Sequence, residues 1–226
     1  MSTAAMRALP LGFPKVMITT MASGDVSAYL ETSDIVMMPS VVDVSGLNSI
    51  LRGVMERGAG AICGMVEAFS QIQEEKPTIV ASMFGNTTSC VEHARSHLEE
   101  SGFEGLVFHA TGAGGRTMET LIESGLVKGV LDITATEWAD ELVGGVLSAG
   151  PHRHEASGKA AVPSVVVPGC LDMVNFHAPD TIPSVFADRQ FYAHNPQVTL
   201  MRTTPEECAQ LGIILADKIN AYTAPV

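Results

Sequence analysis

The sequence has few basic residues and few cysteines, and these shortages exclude several classes of protein. Only 13 of its 226 residues are lysine or arginine, against 25 aspartates and glutamates, which gives a net charge of −12. Binding of a nucleic-acid backbone depends on clustered basic side chains, so we expect no nucleic-acid partner. The cysteines form no CxxC pair, which favours free thiols in a reducing compartment; they are Cys63, Cys90, Cys170 and Cys208.

Long apolar runs and a targeting segment are also lacking. No stretch reaches the roughly 18 consecutive apolar residues of a membrane-spanning helix. The N-terminal stretch MSTAAMRALPLGFP carries one arginine and no apolar core of the kind found in signal peptides. We therefore expect a cytoplasmic protein with no membrane partner. Its 46% of hydrophobic residues is enough to build a sizeable core.

Apolar runs alternate with helical patterns along the chain. Short strands rich in valine and isoleucine, without polar alternation, are typical of a parallel sheet covered by helices on both faces. We therefore predict an α/β fold with an open, doubly wound, Rossmann- or flavodoxin-like sheet of six or seven mostly parallel strands; a barrel-like α/β fold is the alternative. Strands are predicted at 15–19, 34–38, 61–66, 78–83, 105–109, 128–133 and 164–167.

Helices are predicted at about 47–57, 89–101, 137–143 and 205–222, and a further helix follows the glycine stretch and runs to about 124. Residues 168–204 are rich in proline, asparagine, aspartate and histidine. This composition predicts a long excursion with little regular structure, and such loops are often functional.

Small, polar or glycine-rich loops follow six of the predicted strands. In open α/β sheets ligands bind outside the carboxyl ends of the strands, so all six loops should lie along one edge. The loops are 23–25, 40–45, 85–88, 111–117, 134–137 and 168–175.

The loop in the stretch FHATGAGGRTMETLI, residues 108–122, is the strongest candidate for binding an anion. Glycines allow close approach of the backbone, and the first turn of the following helix offers unpaired amides with a partial positive charge. Arg116 can pair with an anion and Thr117 can cap the helix or donate a hydroxyl. The spacing of Gly112, Gly114 and Gly115 matches neither a P-loop nor GxGxxG, so a purely structural turn is the alternative.

Other side chains suggest metal binding or proton transfer, each with a plainer interpretation. Cys90, His93 and His97 share one face of a predicted helix, but one helix rarely supplies three zinc ligands. His109 is either a satisfied buried histidine or a general acid or base. Five carboxylates could hold Mg²⁺ beside a phosphate, or could cap turns and helices: Asp25, Asp43, Asp132, Glu137 and Asp172.

Three long stretches together resemble the Tm-one-like ATP-binding family, an uncharacterised protein family. They begin PKVMITTMASGDVSAYL, ATGAGGRTMETLIESGL and VPSVVVPGCLDMVNF. The resemblance implies that residues 1–14 are a tail from a missing N-terminal subdomain and that 15–226 form one α/β domain, the second subdomain of a longer parent truncated at its C-terminus. It also implies ATP with Mg²⁺ as the ligand.

We therefore expect a subdomain that binds ATP-Mg²⁺ or another phosphorylated or anionic small molecule at the carboxyl edge of the sheet. The alternative is an oligomerisation or interaction module with no ligand chemistry of its own. A homodimer is expected in either case, with the missing subdomain as a further partner. The candidate binding residues are Ser23, Gly24, Asp25, Gly85, Asn86, Thr87, Thr88, Thr111, Gly112, Gly114, Gly115, Arg116, Thr117, Thr134, Gly169 and Asp172.

Overall fold

A computed structural model of the chain describes residues 2–68 and 76–226 and contains two compact units, Met1–Glu75 and Lys76–Val226. This division differs from the expectation of a tail over 1–14 followed by one domain over 15–226. The first residues are packed into the first unit, where Arg7 Nη1 donates to the Tyr29 carbonyl at 2.8 Å.

The first unit contains a two-stranded parallel sheet and a long helix. Strands β1 (Val16–Thr19) and β2 (Val36–Pro39) pair in parallel with Val16 opposite Val36. The helices are α1 (Ser2–Arg7), α2 (Ser27–Leu30) and α3 (Ser49–Ala68).

The strand predicted at 61–66 is wrong, because these residues continue helix α3. A short apolar run fits a buried strand and a helix equally well, and here the helical spacing of the preceding residues decides. Leu51, Val54 and Gly58 are the buried positions of α3, at intervals of three and four residues. A Cβ on Gly58 would lie 2.5 Å from Ile18 Cδ1, so glycine allows α3 to approach β1 closely.

The second unit is built around a four-stranded parallel sheet, which confirms the predicted α/β class. The strand order is β4-β3-β5-β6. The strands are β3 (Thr78–Met83), β4 (Glu104–His109), β5 (Val127–Asp132) and β6 (Ser164–Val166). The connecting helices are α4 (Thr88–Glu100), α5 (Ala113–Glu123), α6 (Thr136–Val143) and α7 (Ala156–Ala160).

Helices cover both faces of this sheet. Neighbouring residues of a strand point to opposite faces, and the central strand β3 follows this rule. Val80 packs in a cluster with Met118 and Ile122 of α5, whereas Ala81 packs with Val91 of α4. The apolar character of β3 on both faces is what a strand enclosed between helices requires.

The predicted excursion at 168–204 is also wrong in part, since it contains a three-stranded antiparallel sheet. Its strands are β7 (Met173–Phe176), β8 (Phe191–Asn195) and β9 (Val198–Arg202), in the order β7-β9-β8. Val174, Phe176 and Met201 enter a core shared with α6 and with α8 (Pro205–Asn220). Two of the prolines that suggested irregular structure belong to short 3₁₀ turns: Pro179 begins the turn Pro179–Thr181, and Pro183 directly precedes the turn Ser184–Phe186.

The parallel strands of the described residues thus belong to two sheets, of two and four strands, and not to one sheet of six or seven. Among those residues, no helix combines the length and apolar character needed to cross a membrane.

Candidate functional site

The strand order of the second unit defines where its loops can form a crevice. From β3 the chain passes through α4 to β4 on one side, then crosses through α5 to β5 on the other side. The direction of winding therefore reverses between β3 and β5. In open α/β sheets the crevice outside the carboxyl ends at such a switch point is the usual ligand site.

The loops after β3 and β5 meet at this switch point. Thr87 Oγ1 lies 2.8 Å from Thr134 Oγ1, and the two hydroxyls share a hydrogen bond. Each threonine is also fixed by a residue at the end of β3 or directly after it. The Phe84 amide donates to Thr87 Oγ1 at 2.9 Å, and the Thr134 amide donates to Ser82 Oγ at 2.8 Å. Both predicted site residues thus hold the two loops together.

The loop after β6 joins the same place. The Ala135 amide donates to the Gly169 carbonyl at 2.9 Å, and a Cβ on Gly169 would lie 2.1 Å from the Ile133 carbonyl oxygen. Cys170 Sγ donates to Asn86 Oδ1 at 3.1 Å, and burial raises the pKa of the Cys170 thiol. Three predicted residues, Asn86, Thr134 and Gly169, therefore lie around one point.

The other predicted residues near these loops have local roles. Thr88 Oγ1 donates to the Phe84 carbonyl at 3.2 Å, and Gly85 begins the 3₁₀ turn that leads into α4. Asp172 pairs with Arg202 at 2.9 Å on the exposed surface. His109 is exposed, not buried as one interpretation required, and its ring contacts the Phe84 ring edge-on with centroids 5.6 Å apart.

The glycine turn after β4 donates its amides to a carboxylate of the protein itself, that of Glu137. Gly112 adopts a φ of 79° as the residue before α5. Its amide donates to Glu137 Oε1 at 2.7 Å, and the Gly115 amide donates to the same oxygen at 3.1 Å. The carboxylate of Glu137 thus satisfies two of the free amides at the start of the helix.

The glycines of this turn are also required by close packing. A Cβ on Gly114 would lie 1.8 Å from the His109 carbonyl oxygen, and one on Gly115 would lie 2.1 Å from Glu137 Oε2. Neither position has room for another residue. The structural interpretation of the turn accounts for all three glycines.

The polar residues of the turn bond to nearby carbonyl groups. Thr111 Oγ1 donates to His109 at 3.3 Å, and Thr117 Oγ1 donates to Ala113 at 2.9 Å. Arg116 is exposed, and its Nη1 donates to the Ser148 carbonyl at 3.0 Å.

A buried arginine that the sequence analysis missed organises the acidic residues beneath the sheet edge. The side chain of Arg153 is 1% exposed. Its Nη1 and Nη2 donate to the two oxygens of Asp132 at 2.6 and 2.7 Å, and its Nε donates to Glu137 Oε2 at 2.8 Å. Nη1 also donates to Glu119 Oε1 at 3.0 Å. We call Arg153 with these three carboxylates the arginine cluster.

The residues that follow Arg153 are held by the same carboxylates. Glu119 accepts the amides of His154 at 2.8 Å and of Ala156 at 2.8 Å, at the start of α7. Trp138 Nε1 donates to His154 Nδ1 at 2.8 Å. Because an indole N–H is only a donor, Nδ1 must accept, and the ring proton lies on Nε2, which is 3.2 Å from Asp132 Oδ2.

In the arginine cluster the pKa values of two buried carboxyl groups are shifted in opposite directions. Burial alone would raise the pKa of Asp132, but the bidentate Arg153 guanidinium outweighs it and holds that pKa well below its usual range. For Glu137, burial prevails over the single bond from Arg153 and raises its pKa. Both residues were candidates for Mg²⁺, and both are instead bonded to Arg153.

Another buried carboxylate, that of Asp140, lies one helical turn beyond Glu137 on α6. Asp140 accepts the Asn175 amide at 3.0 Å and Asn175 Nδ2 at 2.7 Å, which ties α6 to β7. Burial raises the pKa of Asp140 to about 6, against the opposing effect of the bonds from Asn175. This carboxyl group therefore changes protonation just below neutral pH.

The remaining predicted site residues belong to the first unit. Ser23 Oγ donates to the Thr20 carbonyl at 3.0 Å, and Gly24 ends the 3₁₀ turn after β1. Asp25 Oδ1 accepts the Ser27 amide at 2.9 Å, and this bond lowers the pKa of Asp25. These contacts are local to the turn that leads into α2.

Metal-binding side chains do not gather in the described residues, where no group of three or more histidines, cysteines and acids could hold an ion. His93 Nε2 and His97 Nε2 lie 3.2 Å apart on α4, and Cys90 is exposed on the same helix.

Substitution of Arg153 should be far more damaging than loss of an exposed ion pair. In Arg153→Met, the buried carboxylates of Asp132 and Glu137 and the partly buried one of Glu119 lose their counter-charge, and we expect a loss of about 3–5 kcal/mol in the free energy of unfolding. Urea denaturation measures this loss of stability. The control is Arg202→Met, which breaks the exposed pair with Asp172 and should cost under about 1 kcal/mol. Equal stability of the two variants would show that Arg153 is dispensable.

The raised pKa of Asp140 should give the protein a distinct pH dependence. A carboxyl group with a folded pKa above its unfolded value binds more protons when folded, so its effect on stability becomes more favourable as pH falls from 7 towards 4. Relative to Asp140→Asn, the wild type should gain about 1 kcal/mol between pH 7.5 and 5, as measured by urea denaturation at each pH.

Asp188→Asn, at an exposed carboxylate, serves as the control and should keep the pH dependence of the wild type. A wild type and an Asp140→Asn variant with parallel stability curves would contradict the assignment.

Known proteins resemble this chain along nearly all of its length. Residues 76–226 match the C-terminal domain of Uncharacterised protein family (UPF0261), and residues 1–71 match its N-terminal domain. A UPF0261 protein of Clostridium tetani is 54% identical over 217 residues, which cover 96% of this chain and 54% of that protein. A UPF0261 protein of Rhizobium meliloti is 50% identical over 224 residues, covering 99% of this chain and 56% of the relative.

The resemblance to the Tm-one-like family is confirmed. The ToMV resistance protein Tm-1(GCR237) of Solanum lycopersicum is 44% identical over 230 residues, covering 99% of this chain and 30% of the plant protein. The chain spans about half the length of the bacterial relatives. The expectation of a C-terminal subdomain alone is corrected, because residues 1–71 match the N-terminal domain. The chain therefore belongs to the uncharacterised protein family UPF0261 and carries residues of both its N-terminal and its C-terminal domains.

Proposed function

We propose that the second unit binds a small phosphorylated or otherwise anionic molecule at the carboxyl edge of its parallel sheet. The site is centred on the switch point between β3 and β5, with Asn86, Thr87, Thr134 and Gly169 around it. ATP with Mg²⁺ is the first ligand to test, and a small phosphorylated or carboxylated metabolite is the second.

The strand order is the observation that carries this proposal. It favours a crevice between the ends of β3 and β5 independently of any motif. The hydroxyls of Thr87 and Thr134 meet there, and Asn86 beside them is exposed. Loops after three neighbouring strands thus present polar groups to one place.

Backbone amides would supply much of the attraction for an anion. Glu137 already accepts the amides of Gly112 and Gly115. The amides that remain for a ligand are those of Ala113 and Gly114 at the start of α5, and those of Gly85 and Asn86 at the start of the turn before α4. Both helices begin directly after adjacent strands, β3 and β4.

Two charged side chains have proposed roles at this edge. Arg116 is exposed, and its guanidinium bonds to the Ser148 carbonyl, a contact that a ligand could replace, so it would serve as counter-charge to a phosphate. Asp172 would assist with Mg²⁺ or a ribose hydroxyl. Since Mg²⁺ usually keeps water and phosphate oxygens as ligands, one carboxylate is sufficient for that role.

Calorimetric titration of the purified chain with Mg-ATP, and separately with inorganic phosphate, tests the proposal. We expect saturable binding that weakens about five- to tenfold in Asn86→Ala and in Arg116→Ala, because each removes one polar contact with the ligand.

Gln210→Ala, at an exposed position on α8, is the matched control and should bind as the wild type does. Absence of binding to both probes would reject the proposal for this chain. Binding that neither Asn86→Ala nor Arg116→Ala alters would place the ligand elsewhere.

A second candidate function is self-association, and exposed apolar side chains of the first unit favour it. Between β2 and α3, Val41 is 71% exposed, Val44 59% and Leu47 75%, and Ile50 on the first turn of α3 is 52% exposed. Such clusters commonly mark interaction surfaces. We propose a homodimer formed through this segment.

Light scattering at several concentrations tests the homodimer. The wild type should scatter as a dimer, and the double variant Val41→Ser, Leu47→Ser should scatter as a monomer because it loses two apolar contacts. Val185→Ser, at a side chain 80% exposed in the second unit, controls for the general loss of surface apolarity. A monomeric wild type would eliminate this candidate.

A further inference from the structure

A cavity of about 470 Å³ that is open to solvent lies on the second unit, in the part of the chain between Pro179 and Thr199. Its lining includes Pro179, Ile182 and Pro183 from the 3₁₀ turns and Phe191 from β8. Cavities of a few hundred cubic ångströms are the usual size of small-molecule sites. None of the residues named for the edge of the parallel sheet contributes to it.

The lining is almost entirely apolar and uncharged. Prolines, alanines, an isoleucine and a phenylalanine form most of it, and its polar members are Ser184 and Thr199. No charged side chain is among the described residues that line it. An ion would find no counter-charge in this lining, so the chemistry favours a neutral molecule.

One polar group in this lining has no partner. Thr199 is 3% exposed, and its Oγ1 makes no hydrogen bond. Buried hydroxyls are nearly always hydrogen-bonded, and an unpaired one is unfavourable. Thr199 is part of the lining, and a rotation of roughly 120° about its Cα–Cβ bond can bring the hydroxyl to the position that the methyl group now occupies, so a molecule in the cavity can offer the hydroxyl a partner.

The fold keeps Thr199 in this position. Thr199 lies on β9, opposite Phe176 of β7 and Ala193 of β8. On the same face of β9, Met201 enters the core with Phe176. The ring of Phe186 lies 5.6 Å from that of Phe176 and holds the covering 3₁₀ turns against the sheet. The cavity is therefore bounded by a packed sheet on one side and by stiff proline-containing turns on the other.

We propose that this cavity binds a neutral, mainly apolar small molecule of about two fused rings that carries one hydrogen-bonding group, and that this group pairs with the Thr199 hydroxyl. This site is separate from the one proposed for an anion and does not depend on it. Its ligand class follows from the absence of charge in the lining and from the single unpaired hydroxyl.

Two probes that differ in one group test the proposal. Titrations with 2-naphthol and with 2-methylnaphthalene, followed by amide chemical shifts of the full chain, compare a hydroxyl with a methyl on the same ring system. Both should bind, with shifts concentrated in residues 179–199, and 2-naphthol should bind about fivefold more tightly because it alone can pair with Thr199.

Three variants make the result specific. Thr199→Val keeps the shape of the side chain and should remove the preference for 2-naphthol. Ala193→Leu narrows the cavity and should weaken binding of both probes. Thr78→Val, on β3, is the control and should keep the preference. Amide spectra and melting curves establish that each variant is folded. If Ala193→Leu does not fold, the result for Thr199→Val alone decides whether the proposal holds.

The proposal is overturned if neither probe binds saturably, or if the preference for 2-naphthol persists in Thr199→Val. Undiminished binding of both probes to a folded Ala193→Leu variant would equally overturn it.

Discussion

The bidentate pairing of Arg153 with Asp132 is the interaction on which the rest of the second unit depends. A charged guanidinium with 1% exposure is tolerable only when its donors meet carboxylates. Those carboxylates come from the end of β5, from α5 and from α6. A single side chain therefore ties three elements together, and through Glu119 it also fixes the start of α7.

This network explains the glycine turn in physical terms. Glycines at the start of a helix expose amides that attract an anion, and that inference from the sequence is sound. The anion, however, is Glu137, which lies 22 residues beyond Gly115 in the chain. A local pattern cannot distinguish an external phosphate from an internal carboxylate. The distinction depends on Arg153, which orients Glu137. The carboxylates that bond to Arg153 are far apart in the sequence.

The sequence predicted those features that depend on local pattern. Strands β3 to β6 were recognisable because a parallel strand enclosed by helices is apolar throughout, and their order of appearance implied loops at one edge. The meeting of Thr87 with Thr134 bears this out. The run 61–66 misled because apolar runs fit helix and strand alike, and 168–204 misled because proline-rich turns concealed the alternation of Val174, Phe176, Thr199 and Met201.

The distribution of charge also bears on which anion the edge would accept. Arg153 is bonded to internal carboxylates and Arg202 to Asp172, so a ligand's charge would be met chiefly by backbone amides and Arg116. Amides at helix ends carry only partial charges, and the chain as a whole has a net charge of −12. Such an edge disfavours a multiply charged free nucleotide. A divalent ion bound to the phosphates would remove much of that repulsion, because it neutralises the ligand before the protein meets it. On this argument Mg²⁺ would matter at the site for the charge it cancels as well as for any side chain it contacts.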